Sequence, residues 1–383
     1  MSTQKVTDPV IEAVSSSVLT GTLPAIDGSA LTGVSGFVDT TNANDPAIDT
    51  NPATGVGTVW ANSTSGEVFV CTDATTDENV WTNIGAGSGN IVPWAVQGSI
   101  AGYTLGGPGA SPTAYRTIEK FAFSSDGAGT AAGSLSHDYS GNLGYSSSSH
   151  GYTTAMSNAR IDKFHIASDG DGAVVADMHQ SRGYAAGGNS ETHGYAAAGD
   201  YPLTASIDRF DFAAEVNGVD HGDLTLDRWQ PSGCSSETHG YASGGGRPGN
   251  GQSINVIDKY AFGSNANGTD VGDLVAGRNS GNSNGSASTT HGYLSGAYNA
   301  NQDAIDKWTF ASDNNATDVG NLTQGRGFSG AVSSTTHGYQ MGGRVSGVPN
   351  YNIRDKWSFT TDGNAVDAGD LAGTQSDFGT IQT

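Results

Sequence analysis

Apolar and polar positions alternate in short runs along most of this chain, and clusters of Gly, Ser, Asn and Asp separate the runs. Ile257-Asp258-Lys259-Tyr260-Ala261 and Ala304-Ile305-Asp306-Lys307-Trp308 are typical. No window sustains a 3.6-residue apolar period long enough for a useful helix, so the pattern predicts short strands and tight turns. The fold class read from it is all-β.

The runs also repeat. Gly-Tyr recurs at Gly102-Tyr103, Gly151-Tyr152, Gly194-Tyr195, Gly240-Tyr241, Gly292-Tyr293 and Gly338-Tyr339, and in the last five copies a histidine precedes it. An acid–base–aromatic triplet follows each, the six acids being Glu119, Asp162, Asp208, Asp258, Asp306 and Asp355. From the triplet's base to an apolar residue (Leu135, Met178, Leu224, Leu274, Leu322 or Leu371) the count is always 15. From tyrosine to acid it ranges from 10 to 17, so one loop per repeat absorbs nearly all the length variation. Each copy holds four strand candidates. Units of 43 to 50 residues with four strands fit a propeller blade, which predicts six blades over 91–383. The segment Phe378 to Ile381 aligns with an innermost strand and is favoured to complete the first blade; Pro93 to Val96 competes, but Pro93 removes a ladder donor.

Ahead of the repeats, residues 1–55 are weakly patterned, and Val10 to Leu19 fits a helix or a strand. Residues 56–90 read as a three-stranded module, with strands at Gly57–Asn62, Glu67–Cys71 and Val80–Ile84, followed by a Gly/Ser hinge at Gly85–Asn90. Three strands make a small core, so association with a partner is expected.

Composition sharpens this picture. Only 35% of residues are hydrophobic and the net charge is −22, a balance that leans toward disorder, but fixed apolar spacing specifies a packed unit. So acidic a surface repels phosphate backbones, which argues against nucleic acid as a partner. No stretch is apolar enough for membrane insertion. Residues 1–18 lack the basic and apolar regions of a signal peptide, so an extracellular destination would be reached by another route. No Lys or Arg occurs between Lys5 and Arg116, which leaves trypsin-like proteases nothing to cut there. Cys71 and Cys234 fall in different segments and suggest neither a disulfide nor a metal pair.

Two resemblances follow from particular residues. A glycine-ended strand, an acid-bearing strand with aromatics, then a Leu turn and an Arg resemble kelch blades, with Gly106-Gly107, Gly244-Gly245 and Gly342-Gly343 at the double glycine. The kelch tryptophan before the turn is missing. The segment Leu23 to Gly33 (Leu-Pro-Ala-Ile-Asp-Gly-Ser-Ala-Leu-Thr-Gly) resembles N-terminal segments of tailed-phage fibre proteins. Val59 to Ile84 resembles a module of marine phage virion proteins, notably those infecting cyanobacteria. The resemblance implies a virion localisation, attachment to other virion proteins through 1–55, a homotrimer, and a C-terminal domain presented to a host-cell surface glycan or protein.

Candidate chemistry divides into periodic and variable residues. His150, His193, His239, His291 and His337 could hold a metal only if they converged; as periodic residues they read as turn caps, one per repeat. Asp162, Asp208, Asp258, Asp306 and Asp355 recur with the fold and read as structural partners of a base on another strand, such as Arg182, Arg228, Arg278 or Arg326. The Asp-rich turns Asp169–Gly172 and Asp220–Asp223 lack a full calcium spacing, and no cofactor or metal is expected. The variable loops carry Tyr115, Arg116, Tyr201, Arg247, Tyr298, Arg344 and Tyr351, residue types used in sugar and protein recognition. No carboxylate pair stands outside the repeat, so the reading is non-enzymatic. It expects a tail fibre or appendage that adheres to a host. The alternatives are an architectural capsid or collar component and, last, a glycan-degrading enzyme.

Overall fold

A computed structural model describes residues 38–84, 94–109, 114–154, 156, 158–247, 252–281, 284–298 and 302–383. Val10–Leu19, the hinge at Gly85–Asn90 and the fibre-like segment Leu23–Gly33 lie outside them. The chain divides into two compact units, Met1–Pro93 and Trp94–Thr383.

In the first unit one sheet runs in the order β1 (Thr40–Asn42), β2 (Val59–Asn62), β3 (Val68–Asp73), β4 (Val80–Asn83). The β1 strand pairs parallel to β2 and was not predicted, because Thr-Thr-Asn has no apolar alternation to betray it. The core is Trp60, Phe69, Cys71 and Trp81, with the two indoles edge-to-face at 6.0 Å. The preceding segment is tied down by polar side chains. Asn79 Nδ2 donates to the Ile48 carbonyl at 2.7 Å, and Asn62 Nδ2 to Asp45 at 2.7 Å.

The second unit holds six four-stranded antiparallel sheets among the described residues. Sheet I contains β5 (Ala101–Leu105), β6 (Thr117–Ala122) and β7 (Thr130–Ser134). Sheet II is β8 (Leu143–Ser146), β9 (His150–Thr154), β10 (Arg160–His165) and β11 (Ala173–Asp177). Sheet III is β12 (Ala186–Asn189), β13 (His193–Ala197), β14 (Ser206–Asp211) and β15 (Val219–Asp223). Sheet IV is β16 (Ser232–Ser235), β17 (His239–Ser243), β18 (Val256–Ala261) and β19 (Thr269–Asp273). Sheet V is β20 (Ser286–Ala287), β21 (His291–Ser295), β22 (Ala304–Thr309) and β23 (Thr317–Asn321). Sheet VI is β24 (Gly330–Ser333), β25 (His337–Met341), β26 (Ile353–Ser358) and β27 (Val366–Asp370). The last strand, β28 (Gly379–Gln382), returns to pair with β5 and completes sheet I.

No sheet closes on itself. Instead, the first strands touch in the sequence β8, β12, β16, β20, β24, β28 and back to β8. Gly144, Gly188, Cys234, Ala287, Ser333 and Thr380, one from each sheet, together with Asn284 from the chain just before β20, line a single cavity of about 30 Å³, room for little more than a water molecule. Asn284 reaches across it: its Oδ1 accepts from Gly144 N and its Nδ2 donates to Gly144 O, both at 3.2 Å.

Apolar cores lie between neighbouring sheets. Tyr103, Leu105 and Leu135 of sheet I pack with Phe164 and Ile166 of sheet II, and Phe121 packs with Tyr339 and Leu371 of sheet VI. The Gly-Tyr glycine has a steric reason. In five copies the nearest atom to a methyl added there belongs to the triplet aromatic on the paired strand, as Tyr260 for Gly240 or Trp308 for Gly292. In the sixth, Gly194, it is Tyr145 of the neighbouring sheet.

Candidate functional site at the loop edge

Each triplet acid follows a β-bulge between the third and fourth strands of its sheet, which re-aims its side chain toward the sheet before it. All six carboxylates accept a backbone N–H from the turn after the preceding sheet's apolar residue, for example Gln180 N to Asp208 at 2.8 Å and Ala372 N to Glu119 at 2.7 Å. Four also meet an arginine from that turn: Arg182–Asp208 at 2.6 Å, Arg278–Asp306 at 2.5 Å, Arg326–Asp355 at 2.9 Å, and Arg228–Asp258. These acids are 0% exposed. The triplet bases point outward to the next sheet's turn, Lys120 to Asp169, Lys259 to Asp313, Lys307 to Asp362, and Lys356 of sheet VI to Asp126 of sheet I. Acid and base thus serve opposite seams.

The five histidines close hairpin turns of the form Ser-x-x-His. The backbone N–H of each donates to the serine hydroxyl three residues earlier at 2.9–3.1 Å. Each Nδ1 lies 2.7–2.8 Å from the hydroxyl of the residue just before it. Among the described residues no group of three or more His, Cys, Asp or Glu is placed to hold a metal ion. The Asp-rich turns are used within the fold, Asp169 by Lys120 and Asp171 by the Ser134 N–H at 2.9 Å. Cys71 and Cys234 are free and buried.

At the opposite edge, where second strands pass into the variable loops, the chain also crosses from each sheet to the next. Six equivalent residues on these crossings have positive φ: Gly141 (61°), Tyr184 (52°), Gln230 (55°), Gly281 (63°), Phe328 (52°) and Asp377 (55°). Their amides are strung together. Tyr184 N donates to Gly141 O, Gln230 N to Tyr184 O, Asp377 N to Phe328 O and Gly141 N to Asp377 O, at 2.7–3.1 Å. Phe328 N donates one residue short, to Ser280 O at 2.8 Å. Four non-glycine residues are therefore held in the left-handed region, a strained choice for aromatic side chains.

Their side chains gather two of the loop residues, Tyr298 and Arg344. Tyr298 meets Phe328 edge-on at 4.6 Å, and Tyr184 meets it at 5.8 Å. The Arg344 guanidinium lies 4.6 Å from the Phe328 ring and 6.0 Å from Tyr298, and 3.3 Å from Asp377. Burial pushes the Asp377 carboxyl up, against the Ser376 hydroxyl and Arg344. Burial, then the Asp377 charge, push the Tyr184 phenol well up, and Tyr201 adds to it. Tyr201 itself is 66% exposed. The result is an aromatic patch carrying a neutralised Arg–Asp pair.

The other loop residues stand apart from that patch. Tyr115 and Arg116 sit on a 3-10 turn with Arg116 bound to Asp138 at 2.5 Å. Arg247 faces Asp227 at 3.7 Å, and the Tyr351 hydroxyl accepts from Gln324 Nε2 at 2.8 Å. Tyr184, Phe328 and Asp377 were not predicted, because they lie on the crossings between sheets and not in the loops of changing length. Their signal was a nearly constant offset after the apolar residue, six residues in five repeats and seven from Leu274 to Gly281, filled by glycine in two repeats and by large or charged residues in others.

No protein-family model matches the chain, and no curated protein is significantly similar to it. No helix among the described residues is long and apolar enough to cross a membrane.

Proposed function

We propose that residues 94–383 form a six-bladed, kelch-like propeller acting as a non-enzymatic recognition module. In this reading it is carried on a tail fibre or similar virion appendage and holds a host-surface glycan or protein against its loop edge. The observation that carries the reading is the circuit of first strands, closed by β28 and lined by one residue from each sheet. Radial stacking of that kind brings every variable loop to one rim, where Tyr201, Tyr298 and Arg344 offer aromatic faces and a planar cation. The virion setting rests on the fibre-like N-terminal segment. Several copies per particle, a homotrimer among them, would multiply weak single contacts.

The test is binding of labelled full-length chain to cyanobacterial cells and to a glycan array. Binding is expected, and Tyr298→Ala combined with Arg344→Ala should weaken it about tenfold or more, the range of an interface hot spot. Binding indifferent to those changes would move the site elsewhere. No binding at all would favour an architectural virion component, and release of reducing ends from host polysaccharide would favour an enzyme.

A further inference from the structure

The repeat carries a second periodic aromatic, three residues beyond the triplet base: Phe123, Phe212, Phe262, Phe310 and Phe359. Each stacks on the Gly-Tyr tyrosine of the preceding sheet. Tyr339–Phe123, Tyr152–Phe212, Tyr195–Phe262, Tyr241–Phe310 and Tyr293–Phe359 have centroids 4.5–5.2 Å apart and planes within 28°. One seam breaks the series. Between sheets I and II the position is Ile166, and Tyr103 has no ring to stack on there; its hydroxyl donates to the Ile166 carbonyl at 3.4 Å.

At that seam a cavity of about 560 Å³ opens, against about 360 Å³ where Phe310 covers Tyr241. It lies at the hairpin-turn edge, opposite the variable loops. Trp94, Ile100, Tyr103 and Ile166 give it apolar walls, while the hydroxyls of the Ser147–Ser149 turn and the Gln382 amide give it polar ones. Lys120 also lines it, but its ammonium is held by Asp169 at 3.1 Å and lies over the Tyr103 ring at 5.5 Å. With that charge neutralised and a net charge of −22 on the chain, an anionic ligand gains nothing here. The volume falls in the range of small-molecule sites.

We infer that this broken seam is a binding site for a neutral, hydroxyl-rich small molecule, a saccharide of one or two rings stacked on Trp94. Five copies of the repeat keep the Tyr–Phe stack; the sixth gives it up beside an indole and a row of hydroxyls. The apolar walls suit the C–H face of a sugar, and the Ser148 hydroxyl and the Gln382 Oε1 suit its edge, while Ser147 and Ser149 are engaged with His150 and the Gln382 Nε2 with the Val96 carbonyl.

Saturation-transfer NMR on the full chain, with methyl glycosides of glucose, galactose, mannose and N-acetylglucosamine, tests this. At least one glycoside is expected to receive saturation. Ile166→Phe restores the stack used at every other seam, so it should abolish the signal without lowering the thermal midpoint. Trp94→Ala, at the rim of the cavity, should weaken binding about tenfold even if Ile166→Phe folds poorly. Arg344→Ala should leave the signal intact, which separates this site from the loop-edge reading. Absence of transfer to all four glycosides, or transfer that survives both Ile166→Phe and Trp94→Ala, would overturn the proposal.

Discussion

The four seams from sheet II to sheet VI and the two that border sheet I solve the same packing problem with different chemistry. From II to VI, a buried arginine crosses each seam to a fully buried aspartate. At the I–II seam Tyr139 stands at the arginine's position and Asp162 takes the Ser136 hydroxyl at 2.6 Å instead. At the VI–I seam Gln375 stands there, its Oε1 accepting from the Thr104 hydroxyl at 3.2 Å, while Arg354 lies over Phe121 at 4.4 Å. Sheet I is the one assembled from both ends of the unit. A buried charge beside a strand that can fray would be left without its partner each time the strand opened, at several kcal/mol. Neutral hydrogen bonds and ring contacts tolerate that opening better. Arg–Asp pairs buried on both sides stand at the four seams away from sheet I. At its own two seams the side-chain ion pairs are the more exposed Lys120–Asp169 and Lys356–Asp126, and the buried acids Asp162 and Glu119 accept from uncharged donors.

The largest expected effect comes from removing the closure itself. Deleting residues 379–383 strips sheet I of β28, takes Ile381 from the core beside Tyr103, and leaves β5 as an open edge. Losing that isoleucine alone is worth about 2–5 kcal/mol. Urea unfolding should show a lower midpoint and a less cooperative transition. An unchanged curve would mean sheet I holds the circuit without its tail strand, and the contrast between seams would lose its basis. Next, Arg228→Met abandons Asp258 in the interior and should cost about 3–5 kcal/mol, most of it recovered when Asp258→Leu is added. Gln375→Ala, at the equivalent position of the VI–I seam, should cost only about 1 kcal/mol. Equal losses at the two positions would erase the distinction.

Much of this architecture was legible in the sequence because it is periodic. The constant spacing from triplet to leucine marks a hairpin of fixed length, and the tail's alignment with an innermost strand located β28. Asp208, Asp258, Asp306 and Asp355 were readable as structural partners of Arg182 and its equivalents because side chains on neighbouring strands can meet where neighbours in sequence cannot. The same expectation fails for Asp162, which accepts from Ser136 where Tyr139 replaces the arginine. What escaped was whatever departs from alternation. The β1 strand is polar throughout and is recruited by pairing with β2 rather than by burial of its own side chains. Tyr184, Phe328 and Asp377 are set by backbone conformation at the crossings, which a hydrophobic pattern does not encode. Of the loop residues singled out, Tyr298 and Arg344 pack into one patch with Tyr201 nearby. Tyr115, Arg116, Arg247 and Tyr351 each keep a local partner, since loop sequence carries no information about which loops meet.

The smallest predicted effect uses a third difference between sheet I and the rest. Ala101 stands where the other five sheets place a histidine. Burial is the first cause holding His150, His193, His239, His291 and His337 below the usual imidazole range, and the nearby triplet base (Lys163, Arg209, Lys259, Lys307 or Lys356) is the second. A depressed histidine binds fewer protons folded than unfolded between its folded value and about 6.5. Stability is therefore fully present above about pH 6.5 and declines as pH falls through the folded values, then levels. Glu119, Asp306 and Asp377, pushed up by burial, act in the opposite sense, so the wild-type slope is a difference of the two. Replacing all five histidines by glutamine removes one side of it. Urea midpoints measured from about pH 7.5 down to about pH 5 should decline less in that variant than in wild type. A slope identical in both would show that the imidazoles titrate alike folded and unfolded, and that sheet I differs from its neighbours at this position in sequence only.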